Sequence, residues 1–501
     1  MTAESANRAH HVWAIAEVVR EIMKQNAFDP ETLAHCARAS RVLSDPALEV
    51  LWEYQTGLER VLGLLPSSFR KVSAGHEDFL LGTSRQCFVL YDAIRDEEWA
   101  RMLRYTCLVR SFRSGGERVD GLATAVLFER LNGQPLFPKL RRLTWKSSTE
   151  GSAILPLFFS PMLSCVSLDL LSDEERFDHQ TSAIPTAVDY AYRTALAILY
   201  SRAPNVKDIG LSTSGFHCSV ERIANFHRLH SLNLGPVRDP GPILELCGSL
   251  PHLTHLTLDI ANHSGTNPTP PQLPETFLGP LKQLFLSGPP KTAVLFLEAV
   301  KAPSLSLLDI RFEVAADLWK HCLEVIPARF GASLRHFTAG VEDGIDDGEK
   351  FSFHDWFSPL YAIRDLRRVH VDSLYDTSFK IVAQDLDNIA SAWPKLRSLS
   401  LPHSLEDDRS SAFPITALQP LAAKCPHLRT LIIPLPQHAP LAGSTLPPVS
   451  VHQTSLEEIC LPLGQWPPDM RERCITYLTS LFPRAETVLL DEEFGDMDDD
   501  Q

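Results

Sequence analysis

A chain of 501 residues with 44% hydrophobic, 22% charged and 8% aromatic side chains has ample length for a large buried core. Its formal charge is −15, and Asp491, Glu492, Glu493, Asp496, Asp498, Asp499 and Asp500 supply seven of the negative charges with no Lys or Arg among them. An acidic chain without a basic run argues against non-specific nucleic-acid or anionic-membrane binding, and no stretch approaches the ~20 apolar residues of a membrane span.

Met1 to His11 is polar and lacks the apolar centre of a secretory signal. Ten cysteines without a CxxC pair read as reduced thiols of an intracellular protein. Ile15, Val18, Val19, Ile22 and Met23 then fall at i, i+3, i+4, i+7 and i+8, one apolar stripe of a helix. Asp29-Pro30 reads as an N-cap followed by the favoured first helical residue, leading into Leu33, Cys36, Ala37 and Ser40. Asp45-Pro46 repeats the device before Leu48, Leu51 and Trp52. Residues 1–66 are therefore expected to form a small helical domain, and 67–136 a helical connector or degenerate first repeats.

From residue 137 to 492 one pattern returns: an apolar residue, two variable, an apolar residue, one variable, an apolar residue. It runs through Leu140/Leu143/Trp145, Leu163/Val166/Leu168, Val206/Ile209/Leu211, Leu229/Leu232/Leu234, Leu253/Leu256/Leu258, Leu281/Leu284/Leu286 and Leu305/Leu308/Ile310. It continues through Leu334/Phe337/Ala339, Leu366/Val369/Val371, Leu396/Leu399/Leu401, Leu428/Leu431/Ile433 and Leu456/Ile459/Leu461, and fades at Val488 and Leu490. The copies recur every 23 to 32 residues, apart from one interval of 43 that holds a helix-like stretch from Ala187 to Leu199. Between copies lie apolar residues at helical spacing, such as Ile243, Leu244 and Leu246, or Leu295, Phe296 and Val300. Each unit is a short strand plus a helix or helical turn that cannot cover its own apolar face, so units must stack. This is the leucine-rich-repeat signature and predicts an α/β solenoid of parallel short strands. The turn place that would carry an Asn ladder holds Ser148, Ser214 and His403, so irregular coils with turn backbone satisfied in other ways are expected. The acidic residues 493–501 are expected to be a disordered tail.

The phrase HHVWAIAEVVREIMKQNAFDPETLAHCARASRVLSDPALEVLWE resembles an F-box and is similar to those of mushroom-forming fungi, where an I-P-E-[IV]-L-x-x-I-F helix precedes D-P-x-T-L-A and D-P-A-L-x-x-L-W segments. F-box followed by leucine-rich repeats covers nearly the whole chain. The resemblance implies that the helices dock a Skp-type adaptor, and through it a cullin-RING ubiquitin ligase, while the repeats select a protein substrate. It places the adaptor contact on Ile15, Ala16, Val19, Ile22 and Met23, with Trp52 supporting the helices from behind. Ala16 stands where the family has Pro, and Met23 where it has Phe, which removes an aromatic anchor. The alternative is a repeat scaffold whose vestigial F-box no longer recruits the adaptor.

No dinucleotide, Walker, nucleophile-elbow or HExxH motif occurs, so no enzyme and no cofactor is expected. Asp343, Asp346, Asp347 and Glu349 faintly suggest a calcium loop, but Ile345 takes a ligand place. His10-His11 and His217-Cys218 stand apart from other ligand types, so no metal site is expected. Alternate strand positions should form a recognition strip, with His255, Phe285, Arg311, His336, Arg368 and His370 as candidates. A cytoplasmic or nuclear protein–protein interaction module follows.

Overall fold

The computed structural model describes residues 16–490 except 28, 74–85, 117, 148–149, 171–186, 213–219, 238, 262–272, 314–315, 343–350, 374–378, 402–412, 434–448, 450 and 463–467. Ser148, Ser214, His403, the calcium-loop-like acids, His10-His11, His217-Cys218 and the 493–501 tail lie outside that description. The chain divides into two units, residues 1–236 and 237–501.

The first unit opens with three helices, α1 (Ala16–Lys24), α2 (Pro30–Ala39) and α3 (Arg41–Glu53). Asp29 caps α2 as its sequence implies, accepting from the Thr32 backbone N–H at 3.0 Å and the Thr32 hydroxyl at 2.6 Å. These two bonds hold the Asp29 carboxyl below the usual carboxylate range. The third helix starts earlier than Asp45-Pro46 suggests. Ser40 caps it through the Val42 N–H at 3.3 Å, leaving Pro46 inside the helix. The earlier start lets Leu43 reach the core formed by Val19, Met23, Leu33, Ala47 and Val50. Helix α3 runs directly into strand β1 (Tyr54–Thr56).

Strand β1 begins a parallel ladder that continues through β2 (Ser111–Arg113), β3 (Arg142–Lys146), β4 (Cys165–Asp169), β5 (Asp208–Ser212) and β6 (Ser231–Val237). The ladder thus starts well before residue 137. The early coils escaped the sequence pattern because polar groups fill inward places. Gln55 is buried in β1, and Val109, Phe112 and Ser114 form an unrecognised copy in which the buried Ser114 hydroxyl donates to the Lys146 carbonyl at 2.8 Å. The connector also carries helices Asp96–Thr106 and Gly121–Leu131 and a small sheet of Phe69–Ser73, Gln86–Leu90 and Arg118–Val119. Phe112, Phe137, Trp145 and Phe158 stack behind these strands at centroid separations of 4.8 to 6.3 Å. The long interval holds helix Ala187–Arg202.

The second unit repeats the plan. Its parallel strands are β7 (His255–Ile260), β8 (Gln283–Gly288), β9 (Leu307–Glu313), β10 (His336–Glu342), β11 (Arg368–Ser373), β12 (Ser398–Ser400), β13 (Thr430–Ile432), β14 (Glu458–Pro462) and β15 (Glu486–Leu490). Helices Pro240–Ser249, Pro290–Ala299, Ala316–Phe330 and Ala383–Ala392 return the chain between strands, and the second of these packs on the third. Ile243, Leu244 and Leu246 lie in the first helix; Val300 instead begins a two-residue strand paired with Thr276–Phe277. Every repeat-pattern residue whose side chain is described is buried, Leu461, Val488 and Leu490 being outside the described side chains. Both units are leucine-rich-repeat solenoid segments of α/β type.

One bonding device recurs. The residue before a strand and the strand's first residue both donate their N–H to a single carbonyl of the preceding coil. Arg141 and Arg142 donate to Arg110, Lys207 and Asp208 to Ser164, Arg335 and His336 to Ser306, and Arg397 and Ser398 to Arg367, all at 2.7 to 3.1 Å. Turns between coils are closed by individual side chains. Buried Gln453 donates to the carbonyls of Leu428 at 2.9 Å and Cys425 at 3.4 Å while its Oε1 accepts from Ser455 and Leu456 N–H groups at 3.0 and 2.8 Å. Buried Ser160 donates to Pro138 at 2.7 Å, and Trp393 Nε1 donates to Leu360 at 3.2 Å.

Leu253→Asp or Leu399→Asp will bury an unpaired charge and lower stability by about 3 kcal/mol or more, read as a depressed thermal midpoint. Gln453→Leu, close in size but without the amide, will strand the backbone groups it satisfies and cost about 2 kcal/mol or more in the same measurement.

Candidate recognition surfaces

Alternation along each strand sends the apolar residues inward and leaves the intervening ones on the opposite face. Parallel register aligns those outer residues in columns. In the second unit one column holds His255, Gln283, Leu307, His336, Arg368, Ser398 and Thr430, and the next holds Thr257, Phe285, Asp309, Thr338 and His370. A third holds Asp259, Ser287, Arg311, Gly340 and Asp372. The six sequence-derived candidates therefore share one face: His255, His336 and Arg368 in the first column, Phe285 and His370 in the second, Arg311 in the third. Five adjacent strands carry them, a width of about 19 Å at ~4.8 Å per strand.

Their surroundings differ. Phe285 is half-buried between Thr257 and Asp309, so part of its ring faces outward. Arg311 is exposed and lies 3.5 Å from Asp309 of its own strand; His370 is exposed and lies 4.0 Å from Asp372. Asp259 accepts from the Ser287 hydroxyl at 2.8 Å. His336 is half-buried, and burial first, then the charges of Arg368, Arg367 and Arg397, push its imidazole below the ordinary histidine value.

Four arginines escaped the sequence reading. Arg335, Arg367, Arg397 and Arg429 occupy the place just before strands β10 to β13, and each N–H donates to the carbonyl of its predecessor in the column, Ser306 for the first. Their signal was present as a Leu-Arg pair opening four successive repeats, Leu334-Arg335, Leu366-Arg367, Leu396-Arg397 and Leu428-Arg429. Attention to the apolar places hid it.

The N-terminal helices place the proposed adaptor stripe differently from its sequence reading. Ile15 lies outside the described residues, as does the Ala16 side chain. Val19 and Met23 are 0% and 4% exposed and pack inward against α2 and α3. Ile22 is exposed together with Val18, and Val42 at the start of α3 is exposed as well. The physical reason is the stripe's width: one edge must close the three-helix core, which leaves the other edge for solvent. Trp52 has a partner in the following coil. It stacks on Tyr105 of the 96–106 helix at 4.8 Å between ring centroids, tying α3 to the following coil. Arg20 and Glu49 pair across α1 and α3 at 3.2 Å.

Among the described residues no group of three His, Cys, Asp or Glu side chains is placed to hold a metal, and no helix is long and apolar enough to cross a membrane. The nine described cysteines are free thiols, and burial pushes the Cys247 and Cys425 thiols up to about 12.

No family model matches the chain, and no curated protein matches it. Similar solved structures include a Bacteroides fragilis protein at 14% identity, covering 57% of this chain and 66% of that one with a TM-score of 0.29. They also include the TLR13–ssRNA13 complex, at 13% identity, 77% and 53% coverage and a TM-score of 0.31. A Leptospira interrogans leucine-rich-repeat protein matches at 11% identity, 79% and 86% coverage and a TM-score of 0.30. The chain thus spans about two thirds and about half of the first two. At these TM-scores the likenesses carry no argument about function.

The His336 environment is directly measurable. In an NMR titration its imidazole will protonate below the ordinary histidine range, and Arg368→Gln will raise the midpoint, since removing a neighbouring cation favours the imidazolium.

Proposed function

We propose that this chain is a non-catalytic protein-recognition solenoid acting as the substrate receptor of a Skp/cullin/F-box ubiquitin ligase, in the cytoplasm or nucleus. The observation that carries the recognition reading is the outer strand face of the second unit, where Phe285 offers a partly exposed aromatic anchor on the face it shares with His255, Arg311, Arg368 and His370. Aromatic and arginine side chains of this kind dominate the energetics of protein interfaces. The ligase reading rests on the F-box-like phrasing of residues 10–53 and on Val18 and Ile22, one turn apart on α1 and left facing solvent. Catalysis would be by proximity: a target held near a ubiquitin-loaded enzyme gains effective concentration without any chemistry from this chain.

The alternative, a repeat scaffold with a vestigial F-box, is favoured by one feature: Val19 and Met23, which stand where the family stripe has Leu and Phe, are consumed by the helical core. Direct binding of purified Skp-type adaptor to the full chain separates the two. The ligase reading expects binding that falls roughly thirtyfold or more on combined Val18→Glu and Ile22→Glu. No binding by the unaltered chain would leave the scaffold. Val19→Glu with Met23→Glu will instead melt the helices, visible as lost helical signal. Phe285→Ala will weaken capture of the protein substrate about tenfold with adaptor binding unchanged.

A further inference from the structure

We propose that the arginine column of Arg335, Arg367, Arg397 and Arg429 docks an extended, carboxylate-rich segment of the protein partner. This rests on the recognition reading above and names the chemistry of what is recognised. The four guanidinium-bearing residues stand in register just before successive strands, so their Cα atoms span about 14 Å, three strand spacings. Four or five extended residues cover that distance at ~3.3 Å each, so one short acidic run can address the whole column.

The ends of the column are ion-paired, whereas Arg367 at its centre feels the charge of Asp365 only from beyond pairing distance. Arg335 reaches Asp365 at 3.3 Å, and Asp365 is shared with Lys395 at 2.6 Å, a contact that holds its carboxyl below the usual range. Arg429 lies 3.5 Å from Glu457. Among the described residues, Arg367 and Arg397 have no carboxylate within ion-pairing distance, and exposed Arg368 adds a third such cation beside them. In a chain of net charge −15 this is a local positive field built against the overall sign. Half-buried His336 lies beside them, and after burial the charges of Arg368, Arg367 and Arg397 add to the lowering of its imidazole. Stacked like charges repel, and a bound carboxylate row would relieve that repulsion through charge-assisted, bidentate contacts. A nucleic acid fits less well, because the column carries no aromatic side chain for base stacking.

The test uses the full chain and fluorescently labelled octaglutamate, with octaglutamine and an eight-nucleotide single strand as comparison probes. Octaglutamate should bind in a salt-sensitive manner, and Arg367→Gln with Arg397→Gln should weaken it about tenfold. Lys291→Gln with Lys320→Gln, the same charge change at exposed helix positions of the same unit, should alter it by less than about twofold. Equal binding of octaglutamine, equal losses in the two double variants, or tighter binding of the oligonucleotide would each overturn the proposal. Absent octaglutamate binding with Phe285-dependent substrate capture intact would overturn it while leaving the recognition reading standing.

Discussion

Within each unit the fold depends on one backbone arrangement: a single carbonyl per coil that accepts two consecutive N–H groups from the next. A carbonyl oxygen has two lone pairs, and using both at the start of the strand fixes where the following strand begins as well as its direction. Inward placement of the apolar residues follows, because a slip of one residue would turn every buried Leu toward water. The same arrangement sets the outer columns, so the surface is as regular as the core beneath it. The arginine column is the plainest case. Its alignment is inherited from the backbone, since the arginines themselves supply the carbonyls Arg335, Arg367, Arg397 and Arg429 that start the next coils.

Stacking units of this kind hold together by contacts with their neighbours, so local defects stay local. The turns show how the chain manages without a uniform polar ladder. Gln453, Ser160 and Trp393 each satisfy backbone groups at a different junction, with different chemistry. Such individual solutions explain why coil lengths vary while strand register does not.

The repeats were legible because burial is periodic there: Leu256, Leu284 and Leu308 fall at the same place in adjacent strands and are fully buried. Legibility failed where a polar side chain occupied an inward place, as Gln55 and Ser114 do in the first coils. It failed at α3 because two capping signals competed, and the Ser40 start won by bringing Leu43 into the core. The helical stripe was read correctly as apolar, but a stripe shows which side chains avoid water and not which neighbour covers them. Val19 and Met23 are covered by the chain's own helices. The strand-face candidates were brought onto one face because alternation is a strict geometric rule; the arginines were missed because they precede the alternating segment.

Glu53 closes α3, yet its carbonyl accepts the Arg110 N–H at 2.9 Å, the role that Arg110 itself then plays toward Arg141 and Arg142. The helical head is thus spliced into the first coil rather than hung from it by a tether. A tethered module samples a volume set by its linker and loses effective concentration as that linker lengthens. A spliced one behaves as a bracket: whatever grips the solvent-facing edge of α1 is held at a set angle to the adjoining strands of its own unit. Were a partner to grip that edge, lengthening the first coil would re-aim it instead of loosening it.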